Sequence, residues 1–223
     1  MLKATQLIGF GSKVIGSAGA AATVTFTDSE YQNASNPYTS SVDIGTASSR
    51  KVVVWAGTSG GAGATGATCT VDGDAMTEVH AYVGADYNEC ILFQINDYTK
   101  GGTKDVVVTW ASSTGVHAMA VWEVFNAAGA VDDTMDNGSD PFTGTIDVPA
   151  GGVGISGVFF SNSNVTSSWS AGLTKDYDDY TGQHESTGAS DAFADEQSGM
   201  TITCTPGDPS SHRAGLAVSW GPA

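Results

Sequence analysis

Apolar and polar residues alternate with a period of two along nearly the whole chain, and no eleven-residue window repeats every 3.6 residues. Thr23-Val24-Thr25-Phe26-Thr27, Ile91-Leu92-Phe93-Gln94-Ile95, Thr201-Ile202-Thr203-Cys204-Thr205 and Leu216-Ala217-Val218-Ser219-Trp220 all follow this pattern. Successive strand side chains point to opposite faces, so such runs predict strands with one face in a core and one in water. Lys51–Trp55 and Asp105–Trp110 carry unbroken valine runs instead, which suit strands covered on both faces. Between the runs lie turn residues. Asp72-Gly73 predicts a tight hairpin between 67–71 and 75–83, Thr58–Gly63 reads as a glycine loop, and Pro206-Gly207-Asp208-Pro209 opens a loop before the last strand. The expected fold is all-β: an antiparallel sandwich, jelly-roll-like, possible as two similar halves.

The division into halves rests on an internal echo. Ala118-Met119-Ala120-Val121-Trp122 closes one series of strands and Gly215-Leu216-Ala217-Val218-Ser219-Trp220 closes another. The expected layout is a Gly/Ala-rich arm or first strand over 1–22, a first half over 23–130, an acidic junction over 131–141 and a second half over 142–223. The halves could be two sheets of one sandwich or two stacked units.

Composition limits the partners. With 8 Lys+Arg against 24 Asp+Glu the net charge is −16, so a phosphate backbone finds no basic face and nucleic acid is excluded as a partner. An anionic membrane surface is disfavoured for the same reason. No run of about eighteen apolar residues predicts a membrane-spanning helix. Residues 1–22 lack the continuous apolar stretch of a secretory leader, because Gly9, Gly11, Ser12, Lys13 and Gly16 interrupt it. Cys69, Cys90 and Cys204 form no C-x-x-C pair and read as small core residues.

No motif for catalysis or for a cofactor is present. There is no H-E-x-x-H, no G-x-S-x-G elbow and no G-x-x-x-x-G-K-[ST] loop, so none of the four histidines, Ser156 or the glycines near 57–66 is assigned a role. Asp132, Asp133, Asp136 and Asp140, near Asn137 and Gly138, offer oxygens of the kind Ca²⁺ takes. Their spacing is not that of an EF-hand loop, and a solvated linker explains them equally, so no metal is expected. Tyr177 and Tyr180 stand among Asp176, Asp178 and Asp179, a composition that can hold a sugar by ring stacking and carboxylate hydrogen bonds. Paired carboxylates can also cleave a glycosidic bond when they face each other at about 5–10 Å, a distance sequence alone does not set. Trp55, Trp110, Trp122 and Trp220 end apolar strands and read as core, whereas Trp169 lies among serines and is the best aromatic candidate for a glycan or partner contact.

The strings Ser48-Ser49-Arg50-Lys51-Val52-Val53-Val54-Trp55, Cys69-Thr70-Val71-Asp72-Gly73-Asp74-Ala75-Met76-Thr77, Asp105-Val106-Val107-Val108-Thr109 and Ala118-Met119-Ala120-Val121-Trp122 come in an order that resembles small β-sandwich accessory virion proteins of tailed bacteriophages. The resemblance is best over 48–125. It implies a non-enzymatic structural protein on the particle surface, a decoration, fibre or tail-associated subunit, forming a homo-oligomer that docks on capsid or tail subunits. On that reading Leu7, Ile8, Phe10, Val14 and Ile15 of the N-terminal arm supply the buried contacts to a neighbour. The alternative is a carbohydrate-binding sandwich that meets a host-surface glycan through Trp169, Tyr177 and Tyr180.

Overall fold

A computed structural model describes residues 19–33, 36–59, 66–83, 88–112, 115–161, 166–170, 172–181, 184–208 and 212–223. Leu7, Ile8, Phe10, Val14 and Ile15, and most of the glycine loop after Ser59, lie outside them. The described residues form seventeen strands and no helix, and every strand pair is antiparallel.

The first nine strands make one sandwich. They are β1 (Thr23–Asn33), β2 (Tyr38–Asp43), β3 (Arg50–Ser59), β4 (Thr68–Val71), β5 (Asp74–Ala75), β6 (Thr77–Val83), β7 (Asn88–Tyr98), β8 (Thr103–Thr109) and β9 (Val116–Phe125). An inner sheet runs β1-β9-β3-β7-β6 and an outer sheet β2-β8-β4-β5. The first strand pairs with the last and the second with the one before it, which is the wrapping of a jelly roll.

The remaining eight strands repeat that plan. They are β10 (Asp133–Asn137), β11 (Phe142–Val148), β12 (Val153–Ser161), β13 (Ser168–Ser170), β14 (Thr174–Thr181), β15 (His184–Ala192), β16 (Gln197–Thr205) and β17 (His212–Trp220). Their inner sheet is β10-β17-β12-β15-β14 and their outer sheet β11-β16-β13. Strand for strand this is the order of the first half, with β5 as the one addition. The halves are therefore two stacked sandwiches, four sheets deep.

Three apolar layers fill the gaps. Val52, Val54, Ile91, Phe93 and Val121 meet Tyr38, Val106, Val108 and Trp110 inside the first sandwich. Val158, Phe160 and Ala217 meet Phe142, Ile202 and Cys204 inside the second. Val53, Trp55, Leu92 and Trp122 meet Ile155, Phe159, Leu216 and Trp220 between the two. Burial of this apolar surface is the main favourable term in folding.

The inner sheets are covered on both faces, and this corrects two expectations. β7 and β17 keep their alternation but have no wet face along the predicted runs, because the polar residue in each is buried and bonded. Gln94 accepts from Trp220 at 3.0 Å, and Ser219 donates to the Asp147 carbonyl at 2.7 Å. Conversely, the valine run of β8 belongs to an outer sheet, where its residues alternate between core and surface. β3 is covered on both faces as predicted. The Asp72-Gly73 hairpin also forms, with both residues at positive φ (51° and 80°), as a type I′ turn requires. All three cysteines are free and buried.

The junction is corrected as well. Within 131–141, residues Asp133–Asn137 form β10, an edge strand of the second inner sheet paired to β17. Of the proposed arm, residues 19–22 lie against the body, where Ala22 donates its N–H to the Gly151 carbonyl at 2.7 Å.

Candidate functional site

The three aromatics proposed to meet a glycan lie in different layers. Tyr177 is 7 % exposed, stacks on Phe26 at 5.4 Å and shares a hydrogen bond with Ser186 at 3.0 Å. It belongs to the core between the sandwiches, and burial pushes its phenol well above the usual range. Trp169 sits half-buried on edge strand β13, packs on the second sandwich's core and donates its indole N–H to Thr187 at 2.9 Å. Its polar sequence neighbours point outward while the ring turns in. Only Tyr180, 58 % exposed, presents an open ring. The three form no shared platform, and the burial of Tyr177 corrects it as a contact residue.

The four junction acids also serve separate ends. Asp133 Oδ1 accepts the N–H of Thr134 and its Oδ2 that of Asp147, both at 2.8 Å, tying β10 to the end of β11. Asp136 bonds His80 at 2.6 Å, and Asp140 pairs with Arg213 at 2.8 Å. Asp132 is exposed beside Asp147, Val148, Pro149, Ala150 and Glu196, around a shallow cleft of about 350 Å³. Among the described residues no three His, Cys, Asp or Glu side chains are grouped to hold a metal ion.

The most developed polar architecture is one the sequence reading missed. It starts at the head of β3, where Arg50 and Lys51 precede the valine run. Both are buried. The Arg50 guanidinium donates to the carbonyls of Ile44 at 2.5 Å, Ser48 at 3.1 Å, and Tyr98 and Lys100 at 3.0 Å, and pairs with Glu123 at 3.1 Å. Five fixed donors suit a fork of this kind. Glu123 also accepts from the N–H of Thr46 at 2.9 Å and its hydroxyl at 3.0 Å. The buried charges are thus consumed in fixing the β2–β3 and β7–β8 connections.

Lys51 points the other way, into the seam between the sandwiches. Its Nζ donates to Asn96 Oδ1 at 2.7 Å, Gln94 Oε1 at 2.9 Å and the Gly129 carbonyl at 3.4 Å, and lies 5.3 Å over the Trp220 ring. Its three contacts are all neutral acceptors. Burial lowers the amine to about 8, and the Asp97 carboxylate opposes the shift only in part. Beside it opens a cleft of about 440 Å³ lined by Ser49, Arg50, Asn96, Asn126, Gly129 and Ala223 among others. Since every Lys51 N–H is already used, the amine has no donor left for a ligand there.

The opposite end of the seam carries a second cluster. Ser161 Oγ lies 3.1 Å from His184 Nδ1 and 3.0 Å from Asn88 Oδ1, joining β12, β15 and β7. Desolvation lowers His184, so the ring is neutral near pH 7. Ser167, on the far side of the second inner sheet, donates to Glu185, and its N–H donates to Asp178 at 3.0 Å. The seam, with bonds at both ends and an aromatic centre, is where the polar side chains of the two halves converge.

Compared with protein-family models, with curated proteins and with solved structures, the chain matches none.

Proposed function

We propose that this chain is a non-enzymatic structural subunit of a tailed-phage particle, exposed on its surface as a decoration, fibre or tail-associated protein. The resemblance over 48–125 supports that reading. The observation that carries it is the use made of the buried polar side chains. Arg50, Glu123, Lys51 and Gln94 are engaged in tying connections and halves together, so the fold invests its polar interior in rigidity. Four packed sheets resist deformation, as a part held in an assembly must. A net charge of −16 keeps such particles from adhering to one another. Capsid or tail subunits are the proposed partners, and several copies are proposed to associate.

Antibodies raised against the purified chain and carried on gold beads test this directly. Intact particles released from the host that carries the gene are expected to be labelled on their outer surface. Particles whose protein complement, read by mass spectrometry, lacks this chain would overturn the proposal.

A further inference from the structure

We infer that the seam between the sandwiches is a homodimer interface held within one chain: the partner each inner face fits is a second copy of the same sandwich unit, supplied here by fusion. A twofold-symmetric interface has a signature, in that if element i of one unit touches element j of the other, then j of the first touches i of the second. The seam has it. β1 lies against β14 while β6, which corresponds to β14, lies against β10, which corresponds to β1. β9 meets β15 as β17 meets β7, and β3 meets β12 at the centre. The axis this implies runs parallel to the strands.

Side chains reach across the seam from both halves. The closing strand of each half carries a tryptophan, Trp122 paired opposite Val53 and Trp220 paired opposite Val153. Trp122 donates its indole N–H across the seam to Asp176 of β14 at 2.8 Å, and Trp220 donates across it in the other direction to Gln94 of β7 at 3.0 Å, so the two indoles cross in opposite directions but reach strands that do not correspond. The edges are bridged on both sides, by Ser29 to Asp179 at 2.5 Å and by His80 to Asp136 at 2.6 Å. Edge strands β6 and β14 each carry one bulge. Each also presents an exposed apolar residue, Val83 or Tyr180, paired opposite a buried glutamate, Glu89 or Glu185.

The consequence for an assembly is a count. Each chain contributes two like units about its own axis, so n chains place 2n sandwiches. This inference stands whether or not the particle is a phage.

The test uses the full chain with a protease site inserted after Ala130, in the exposed connection between the halves. After cleavage the two fragments are expected to elute together, at the volume of the uncut chain and in a one-to-one ratio. Separate elution as two monomers at micromolar concentration would overturn the inference. The same cut chain carrying Leu92→Lys, on the inner face of the first half, is expected to release its fragments; retention there would mean that something other than the inner faces holds them, and would also overturn it. Ser29→Ala and Asp136→Ala remove the bridges at the two corresponding edges, β1 to β14 and β10 to β6, and each is expected to raise the fragments' dissociation constant by a similar factor, within threefold of the other. An effect confined to one of the two contradicts the twofold equivalence.

Discussion

The indole of Trp55 lies directly over Gly157, and a Cβ on that glycine would come within 2.7 Å of the ring atoms Cδ1, Cδ2 and Cε2. The two residues sit on the central strands of the facing inner sheets, β3 and β12. The seam closes there because one side offers the largest ring available and the other offers no side chain.

That contact yields the first prediction. Gly157→Ala forces the indole or the β12 backbone to move, and overpacking of this kind costs about 1–3 kcal/mol. Urea unfolding of the variant is expected to show a lower midpoint at an unchanged slope. A midpoint equal to that of the parent would mean the seam is looser than described.

Asp133 is expected to act as a strand tie. Asp28 has the same role in the first half, its Oδ1 accepting from Ser29 at 2.9 Å and its Oδ2 from Asp43 at 2.8 Å. Asp28→Ala and Asp133→Ala each leave two backbone N–H groups to water in place of the carboxylate and are expected to cost about 0.5–1.5 kcal/mol. Millimolar calcium is expected to leave the melting temperature of the parent unchanged, and a rise that Asp133→Ala abolishes would restore the metal reading.

Glu123→Gln keeps the shape of the side chain but leaves the Arg50 guanidinium buried without its counter-charge. Breaking a buried pair from one side costs about 3–5 kcal/mol. Denaturant titration measures it, and a loss below about 1 kcal/mol, the range of exposed pairs, would contradict the burial of this one.

Lys51 gives a pH dependence with a definite sign. Its amine falls from the ordinary 10.5 to about 8 in the folded chain. Between those values the unfolded chain binds more protons, so the contribution of Lys51 to stability rises with pH across that window. The stability of the parent minus that of Lys51→Met is expected to climb from pH 8 to 10.5. A flat or falling difference would place the amine in water.

Tyr177 and Tyr180 separate core from surface three residues apart. Tyr177→Ala is expected to cost about 3–5 kcal/mol, as large-to-small core changes do. Tyr180→Ala is expected to stay within about 0.5 kcal/mol. Thermal melts of the two variants decide it, and equal effects would contradict the layer assignment.

Much of the fold is readable from residue order. The period of two, the Asp72-Gly73 turn and the matching closing strands at Trp122 and Trp220 predict an all-β chain in two similar halves. What order cannot carry is which face meets which. Gln94 and Ser219 look like solvent-facing positions, and only the neighbouring sheet shows that their partners are Trp220 and the Asp147 carbonyl. Trp169 looks exposed because its neighbours are serines, but at an edge strand the alternation turns its ring inward. Arg50-Lys51 ahead of a valine run was the available signal for the seam, since two cations at the head of a doubly covered strand must find buried acceptors.

Hydrogen exchange on the intact chain tests the central claim, that the two sandwiches form one rigid block. Amides of β3 and β12 are expected to exchange at the same slow rate, through a single opening whose free energy equals that of global unfolding. Exchange of one of these strands at least tenfold faster than the other, with a separate unfolding transition for its half, would contradict it.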